Sequence, residues 1–205
     1  MEINIEEIPF DVRYKLLTGT VVPRPIALVS TTSPSGDCNL APFSYFNIVG
    51  HNPMALSFSV AGIKPNRSNK DTFINIIAEE KSEFVINIVN EAMAVKMART
   101  ASVLGYGVSE FEFSGLTKEK SQTVKPFRVQ ESPVSFECET FKVVEVGISK
   151  LIIGIVKHLY ISDEFLEDNF KVNQLKLKAI GRMAGSNYCV STNLFTVDDE
   201  KFFPL

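Results

Sequence analysis

Two long strand-forming runs separated by a short turn constrain the fold of this chain more than any other feature. Residues 134–146 and 150–161 are rich in β-branched and aromatic residues, and Gly147 lies between them. So short a turn joins antiparallel neighbours, because parallel strands need a crossover of about a dozen residues or more. The two runs therefore predict a β-hairpin and an antiparallel sheet.

Shorter runs extend this antiparallel pattern along the chain. Ser-Pro-Ser-Gly-Asp at 33–37 is turn chemistry and predicts a hairpin between the strands on either side of it. Leu56, Phe58 and Val60 alternate with polar residues and are expected to share one face of a strand. The predicted strands are 26–32, 39–49, 55–60 and 83–89, with strand or bridge segments at 177–181 and 187–191.

Helical patterns are fewer and fall between the strands. Apolar spacing predicts helices at 71–80 and 91–102. The polar segment 106–133 exceeds an ordinary connection, so we expect it to contain a turn of helix or to cover a site. About seven strands and two main helices predict a mainly β fold, an antiparallel barrel with helical cover. No break in composition divides residues 1–205, so a single domain is expected.

The composition is that of an ordinary globular protein and argues against several functional classes. The net charge is −3 without a basic block, which argues against a nucleic-acid partner. Cys38, Cys138 and Cys189 have no C-x-x-C spacing, and His51 and His158 are isolated, so neither disulfides nor a metal site are expected. The acidic N-terminus lacks the order of a signal peptide, and no apolar run could span a bilayer; we expect a soluble, cytoplasmic protein.

Segment 64–76 has the parts of an anion-binding site. Two cations, Arg67 and Lys70, and the short polar residues Ser68, Asn69 and Thr72 come directly before or within the start of an apolar helical pattern. Free N–H groups and the positive end of the dipole make a helix N-terminus a site for phosphate. The alternative is that the cations are solvated and that a polar residue is a plain N-cap. Nucleotide sites of the Rossmann or P-loop kind are not supported, since neither glycine motif is present.

Four segments together resemble the flavin reductase-like family, whose members bind FMN on a split antiparallel β-barrel of Greek-key type. They read Pro-Arg-Pro-Ile-Ala-Leu-Val-Ser-Thr at 23–31, Asn-Leu-Ala-Pro-Phe-Ser-Tyr-Phe-Asn at 39–47, Arg-Ser-Asn-Lys-Asp-Thr at 67–72 and Glu-Phe-Val-Ile-Asn at 83–87. Residues 181–188, Gly-Arg-Met-Ala-Gly-Ser-Asn-Tyr, are similar to the closing motif of the family. The subgroup is similar to the reductase components of nitrilotriacetate-type monooxygenases.

The resemblance implies a set of flavin contacts at a homodimer interface. The phosphate would lie near Arg67, Ser68, Lys70 and Thr72, with Ser30 and Thr31 reaching the phosphate or the ribityl chain. Ser44, Tyr45, Phe46 and Asn47 would run beside the isoalloxazine ring, and Asn39, Arg182 and Tyr188 would complete the pocket, with Tyr188 from either subunit. Core packing stays open for Tyr45 and Phe46, turn capping for Asn39 and Asn47, and a surface or interface position for Arg182 and Tyr188. Arg24 is expected to be buried and paired in a structural role, and His51 receives no chemistry.

The function that the resemblance implies is NAD(P)H-dependent flavin reduction, with hydride delivered to flavin N5 and electrons passed to a monooxygenase or another acceptor. No catalytic side chain is nominated, because the cofactor performs the chemistry. One alternative is a non-catalytic FMN carrier or electron-transfer flavoprotein, and another is a flavin-independent binding protein with the same fold. FAD in place of FMN, NADH or NADPH as donor, and tight or exchanging flavin all stay open.

Overall fold

The computed structural model describes residues 1–62, 68–104 and 108–196, with the backbone alone described at 68–70. The helices are α1 (Phe10–Thr20), α2 (Ser68–Ile77), α3 (Ala94–Arg99), α4 (Glu110–Ser114) and α5 (Gln174–Leu177). The strands are β1 (Arg24–Pro25), β2 (Ala27–Thr32), β3 (Cys38–Phe43), β4 (Phe46–His51), β5 (Met54–Val60), β6 (Glu83–Ile88), β7 (Lys118–Glu119), β8 (Arg128–Val129), β9 (Val134–Val146), β10 (Ser149–Ile161), β11 (Ile180–Arg182) and β12 (Tyr188–Val190). No helix in these ranges is long and apolar enough to cross a membrane.

A seven-stranded antiparallel sheet forms the body of the fold, in the order β3-β2-β6-β9-β10-β5-β4. The predicted hairpin is its longest pairing, β9 with β10, and Gly147 in the turn has a φ of 55°, in the left-handed region that favours glycine. A second sheet, β1-β11-β12, and the small β7-β8 pair lie outside this body. The mainly β antiparallel fold predicted from the sequence is confirmed.

The inner face of the large sheet is filled by alternate residues of its strands. Leu56, Phe58 and Val60 on β5 share one face, as predicted; this face points inward, and each residue is at most 4% exposed. Phe58 packs against the rings of Phe43 and Phe84, with centroids 4.9 and 5.4 Å away. Ring pairs at such distances are favourable beyond the area that they bury, so this aromatic row fixes the packing of three strands.

The outer face of β2 and its neighbours is also apolar and is covered by helices. Leu28 and Leu40 point outward and pack in a second buried cluster with Met97 of α3 and Phe111 of α4. Burial on both faces explains why residues 26–29 are all apolar. The segment 106–133 contains α4 and the β7-β8 pair, which agrees with the expected turn of helix.

The predicted strand 39–49 is instead two strands, β3 and β4, separated by the corner Ser44–Tyr45. Before the corner, Phe43 pairs with Ala27 of β2; after it, Phe46 pairs with Phe58 of β5. The chain therefore leaves one end of the seven-stranded sheet and joins the other within two residues. This tertiary closure produces the split barrel and interrupts a run that local sequence pattern presents as continuous.

Two further differences concern helices. The predicted helix 91–102 is a 3₁₀ turn, Glu91–Met93, followed by the short helix α3. Helix α1 was not predicted at all: its apolar residues are largely exposed and only Thr18 is buried, so its sequence lacks a clear stripe facing a core.

We expect opposite results from alanine at two glycines. A Cβ at Gly154 on β10 would collide with the Phe84 ring and lie 3.2 Å from Cys138 Cβ, whereas nothing lies within 4 Å of a Cβ at Gly19 in α1. Gly154→Ala should lower the free energy of unfolding by about 1–3 kcal/mol through overpacking. Gly19→Ala, the matched control, should be neutral or stabilising by up to about 1 kcal/mol. Urea unfolding followed by circular dichroism measures both; equal effects would contradict the packing described for Phe84.

Candidate functional site

A cleft of about 310 Å³ opens beside the corner Ser44–Tyr45. This volume is at the lower end of the range of about 300–1,000 Å³ that is usual for small-molecule sites. Its walls come from α1, the corner, the end of β5, α3 and the β11-β12 hairpin. The lining residues are Tyr14, Thr18, Arg24, Ile26, Ala41, Pro42, Phe43, Ser44, Tyr45, Ser59, Ala61, Met97, Ala98, Ala101, Arg182 and Tyr188.

Arg24 anchors the floor of the cleft and is 7% exposed. Its Nη1 donates to the carbonyl oxygens of Thr18 and Val21 at the end of α1, at 2.7 and 3.0 Å. Its Nη2 donates to the carbonyl of Met183 at 3.2 Å, and its Nε lies 3.4 Å from Ser44 Oγ. One guanidinium thus joins α1, the corner and the segment after β11. Cations are favourable at the C-terminal end of a helix, where the last carbonyls lack partners.

Arg182 and Tyr188 form the outer wall and come from the same hairpin. They are cross-strand partners in the β11-β12 register. The Arg182 guanidinium lies over the Tyr188 ring, 4.6 Å from the centroid, and donates to the Tyr188 hydroxyl and to the Gly185 carbonyl. The contact pre-arranges a cation and an aromatic face at the rim.

Tyr45 contributes to the site through its backbone carbonyl and through its partly buried phenol. Its carbonyl accepts a hydrogen bond from the Ser59 N–H at 2.8 Å, which fixes the corner to β5. Burial raises the pKa of the Tyr45 hydroxyl, nearby Tyr14 raises it further, and Arg24 opposes both. At pH 7 the phenol is therefore neutral and can donate a hydrogen bond into the cleft.

The cleft offers two arginines, hydroxyl groups, aromatic faces and small apolar residues, and none of the described residues that line it carries a carboxylate. Such a wall suits a planar ligand with an anionic or carbonyl-bearing edge: rings pack on apolar and aromatic surface, and guanidinium groups bind the oxygens. Within the part of the chain that the structure describes, no cluster of histidine, cysteine or acidic residues could hold a metal ion.

Three residues predicted to contact the cofactor hold α2 against the sheet. Thr31 and Asn39 are cross-strand partners in the β2-β3 pair, and both are at least nine-tenths buried. Asn39 Nδ2 donates to Thr72 Oγ1 at 2.7 Å, and Asn75 Nδ2 donates to Thr31 Oγ1 at 2.9 Å. These bonds join successive turns of α2 to neighbouring strands, so Thr31, Asn39 and Thr72 have a positioning role in the structure. Their predicted contact with flavin stays a prediction.

The other predicted residues divide into three groups. Ser44, Tyr45, Arg182 and Tyr188 are brought together in the cleft. Ser30 donates to the Phe127 carbonyl at 2.5 Å, Phe46 packs against the inner core, and Asn47 Oδ1 accepts from the Ile48 N–H at 2.8 Å; none of these three lines the cleft. Arg67 lies outside the described residues, as do the side chains of Ser68 and Lys70, whose backbone is in the first turn of α2.

The sequence interpretation missed the place of Arg24 and Tyr14 in the cleft. Arg24 is buried, as expected, but its acceptors are carbonyl and hydroxyl groups and it lines the site. The surrounding prolines could have indicated it, since they hold Arg24 in the extended β1 that pairs with β11. Tyr14 gives no such signal, because it belongs to a helix that the sequence pattern did not predict.

Comparison with known proteins shows the family to which this chain belongs. The flavin reductase like domain matches residues 18–175, and the chain belongs to this family. An uncharacterised protein of Aquifex aeolicus is 42% identical over 188 residues, which cover 92% of this chain and 94% of the relative. An uncharacterised protein of Bacillus subtilis is 36% identical, with 90% and 91% covered.

Solved structures of similar proteins agree with this family and fold. Nitrilotriacetate monooxygenase component B from Bacillus cereus is 33% identical, with a TM-score of 0.90 and coverage of 96% of this chain and 98% of that one. A 2-nitrobenzoate 2-nitroreductase of Pseudomonas fluorescens is 30% identical, with a TM-score of 0.87 and coverage of 100% and 99%. A Shewanella frigidimarina protein with a split barrel domain, 20% identical with a TM-score of 0.82 and coverage of 97% and 98%, has the same fold. The split barrel predicted from the sequence is confirmed.

We expect the hydrogen bond between Asn75 of α2 and Thr31 of β2 to stabilise the fold. Asn75→Ala removes the partly buried bond to Thr31 and should lower the free energy of unfolding by about 1–2 kcal/mol. Asn47→Ala, the matched control, removes an exposed local bond and should change it by less than about 0.5 kcal/mol. Chemical denaturation without added ligand tests the pair, and an Asn75→Ala protein as stable as the control would show that the Asn75–Thr31 bond does not help to hold α2.

Proposed function

We propose that the cleft beside Ser44–Tyr45 binds FMN and that the protein is an NAD(P)H-dependent flavin reductase. One observation carries this proposal: in a chain of the flavin reductase-like family, two arginines, the Ser44 hydroxyl and the phenols of Tyr14, Tyr45 and Tyr188 converge on one cleft, and no carboxylate is found among the lining residues that the structure describes. The donors suit the carbonyl-bearing edge of an isoalloxazine ring, and the apolar walls suit its faces.

The two ends of FMN correspond to two parts of the structure. The ring would lie along the corner, where backbone groups and Ser44 Oγ border the cleft. The phosphate would lie at the beginning of α2, with Ser68 and Lys70 in its first turn and Arg67 preceding it in the sequence, where helical N–H groups favour an anion. The hydrogen bonds from β2 and β3 to α2 support this proposal, because they hold that helix in a fixed position relative to the corner.

The residues of the chain act by binding and orienting. Bound FMN would supply the chemistry by accepting hydride from NAD(P)H at N5. Tyr45, neutral at pH 7, is placed to donate a hydrogen bond, and Arg182 stacked on Tyr188 presents a fixed cation at the rim. No general acid or base is required of these side chains, so the proposal contains no catalytic residue. The names of the Bacillus cereus and Pseudomonas fluorescens relatives, a monooxygenase component and a nitroreductase, support a redox role.

An anaerobic reduction experiment tests this function. Purified protein reconstituted with FMN should show bound flavin absorbance, and NADH or NADPH should bleach it within seconds at a rate that saturates with donor concentration. Free FMN at the same concentration is the control, since its uncatalysed reduction is slower. Protein that binds FMN but stays oxidised for minutes with both donors would contradict the reductase proposal and favour the FMN carrier. No binding of FMN would contradict both.

We further propose that the protein is a homodimer whose interface borders the cleft. Leu151, Ile153 and Ile155 lie on the outer face of β10, opposite small residues of β5: Ser59, Ser57 and Ala55. Three aliphatic residues in outward positions are typical of a sheet face that is buried. Ser59 belongs both to this face and to the lining of the cleft, so a second subunit on the face would lie beside the flavin.

A charge in this face should dissociate the dimer. Ile153→Asp would desolvate a carboxylate at the interface, so light scattering at micromolar concentration should give the monomer mass, with weaker FMN binding. Val95→Asp, an equally drastic change at a 68% exposed position on α3, should leave the dimer intact. A monomeric wild-type protein, or an Ile153→Asp protein that remains dimeric, would refute this interface.

A further inference from the structure

Two arginines stand side by side at the cleft. Arg24 of β1 and Arg182 of β11 are directly opposed in the antiparallel register, and both side chains line the cleft. Like charges in directly opposed positions destabilise a strand pair. The carbonyls at the end of α1 account for one buried cation, but a stable fold gains nothing from a second arginine directly opposite it, so the pair of charges requires another explanation.

Neither arginine has a negatively charged partner among the described residues. Four of the five N–H donors of Arg24 reach a hydroxyl or backbone carbonyls, and Arg182 reaches a phenol and a carbonyl. The ion pairs of the described residues involve lysine or histidine, never these two arginines. A guanidinium that is 7% exposed and lacks a counter-charge is costly to bury.

We propose that Arg24, together with Arg182, binds the carbonyl-bearing pyrimidine edge of the flavin ring and holds reduced flavin more tightly than oxidised flavin. This inference rests on the proposed function and adds to it a role for Arg24. Reduced flavin carries a negative charge that is shared between N1 and the C2 carbonyl. That charge would supply the partner that both guanidinium groups lack, in a cleft where water screens it weakly.

The position of Arg24 favours the ring over the phosphate. Its Nε lies 3.4 Å from Ser44 Oγ, at the corner beside which the ring is proposed to lie. The predicted phosphate ligands belong to another segment, at the start of α2. The carbonyl groups of Thr18, Val21 and Met183 hold the guanidinium in place before any ligand arrives, so little reorganisation accompanies binding.

Flavin affinity and reduction potential test this role. Arg24→Met should weaken oxidised FMN and oxidised riboflavin by the same factor, because the lost contact is at the ring. It should weaken reduced flavin about tenfold more, which corresponds to a midpoint potential about 30 mV lower for this two-electron couple. Arg24→Lys keeps the charge and should restore most of the potential, although it loses several carbonyl contacts and is expected to unfold at a lower temperature.

Two control variants separate this role from structure and from phosphate binding. Arg13 also donates to backbone carbonyls, those of Ile8 and Glu6, but lies outside the cleft lining; Arg13→Met should leave flavin affinity and potential unchanged. The double variant Arg67→Ala with Lys70→Ala should weaken FMN much more than riboflavin, the reverse of the pattern at Arg24. If Arg24→Met does not fold, Arg182→Met, whose side chain lies at the rim, should show the same lowering of potential.

The outcomes are distinguishable. Wild-type protein that binds no flavin overturns the proposed function and this inference together. Wild-type protein that binds flavin, with Arg24→Met and Arg182→Met retaining the wild-type potential, overturns this inference alone. If Arg24→Met weakens the binding of FMN but not of riboflavin, the inference is also overturned, because Arg24 would then contact the phosphate. An effect confined to the KM for NADH or NADPH overturns it as well, because the arginines would then serve the electron donor.

Discussion

The closure of the sheet at Ser44–Tyr45 is the constraint on which the rest of the structure depends. Two residues carry the chain from β3, at one end of the seven-stranded sheet, to β4 at the other. The hydrogen bond from the Ser59 N–H to the Tyr45 carbonyl and the pairing of Phe46 with Phe58 fix this connection. The corner leaves backbone and hydroxyl groups at the surface between helices and strands, and the cleft opens there.

Polar interactions then place charge around this opening. Arg24 joins the end of α1, the corner and the segment after β11 through neutral acceptors, so that its positive charge remains available to a ligand. At the other end of the β2-β3 pair, Thr31 and Asn39 hold α2 near its beginning, the segment predicted to bind phosphate. The proposed ring end thus depends on Arg24 in the smaller sheet, and the proposed phosphate end depends on α2, which strands of the larger sheet hold. A long, two-ended cofactor would need both contacts to be held in register.

Sequence reasoning succeeded where structure is local and failed where it depends on distant contacts. The β9-β10 hairpin and the alternation of Leu56, Phe58 and Val60 follow from turn chemistry and period, and both were predicted. The corner was missed because residues 39–49 form one continuous pattern that only pairing with β5 divides. The hydrogen bonds of Thr31 and Asn39 to α2 were not predicted, because they depend on how the helix packs; the predicted contact of these residues with the cofactor stays a prediction. The position of Arg24 in the cleft could be predicted only by knowing that β1 pairs with β11. These two strands are more than 150 residues apart in the sequence.

A crystal structure of the protein with FMN would test the central claim most directly. The account predicts isoalloxazine density in the cleft, beside Ser44 and Tyr45, with the pyrimidine edge directed at Arg24 and Arg182 and the phosphate at the start of α2. A second cleft of about 310 Å³ lies between the 33–37 turn and the end of α2, and the account predicts that it holds no flavin. Flavin density in that second cleft, or a ring whose dimethylbenzene edge faces the arginines, would contradict the account.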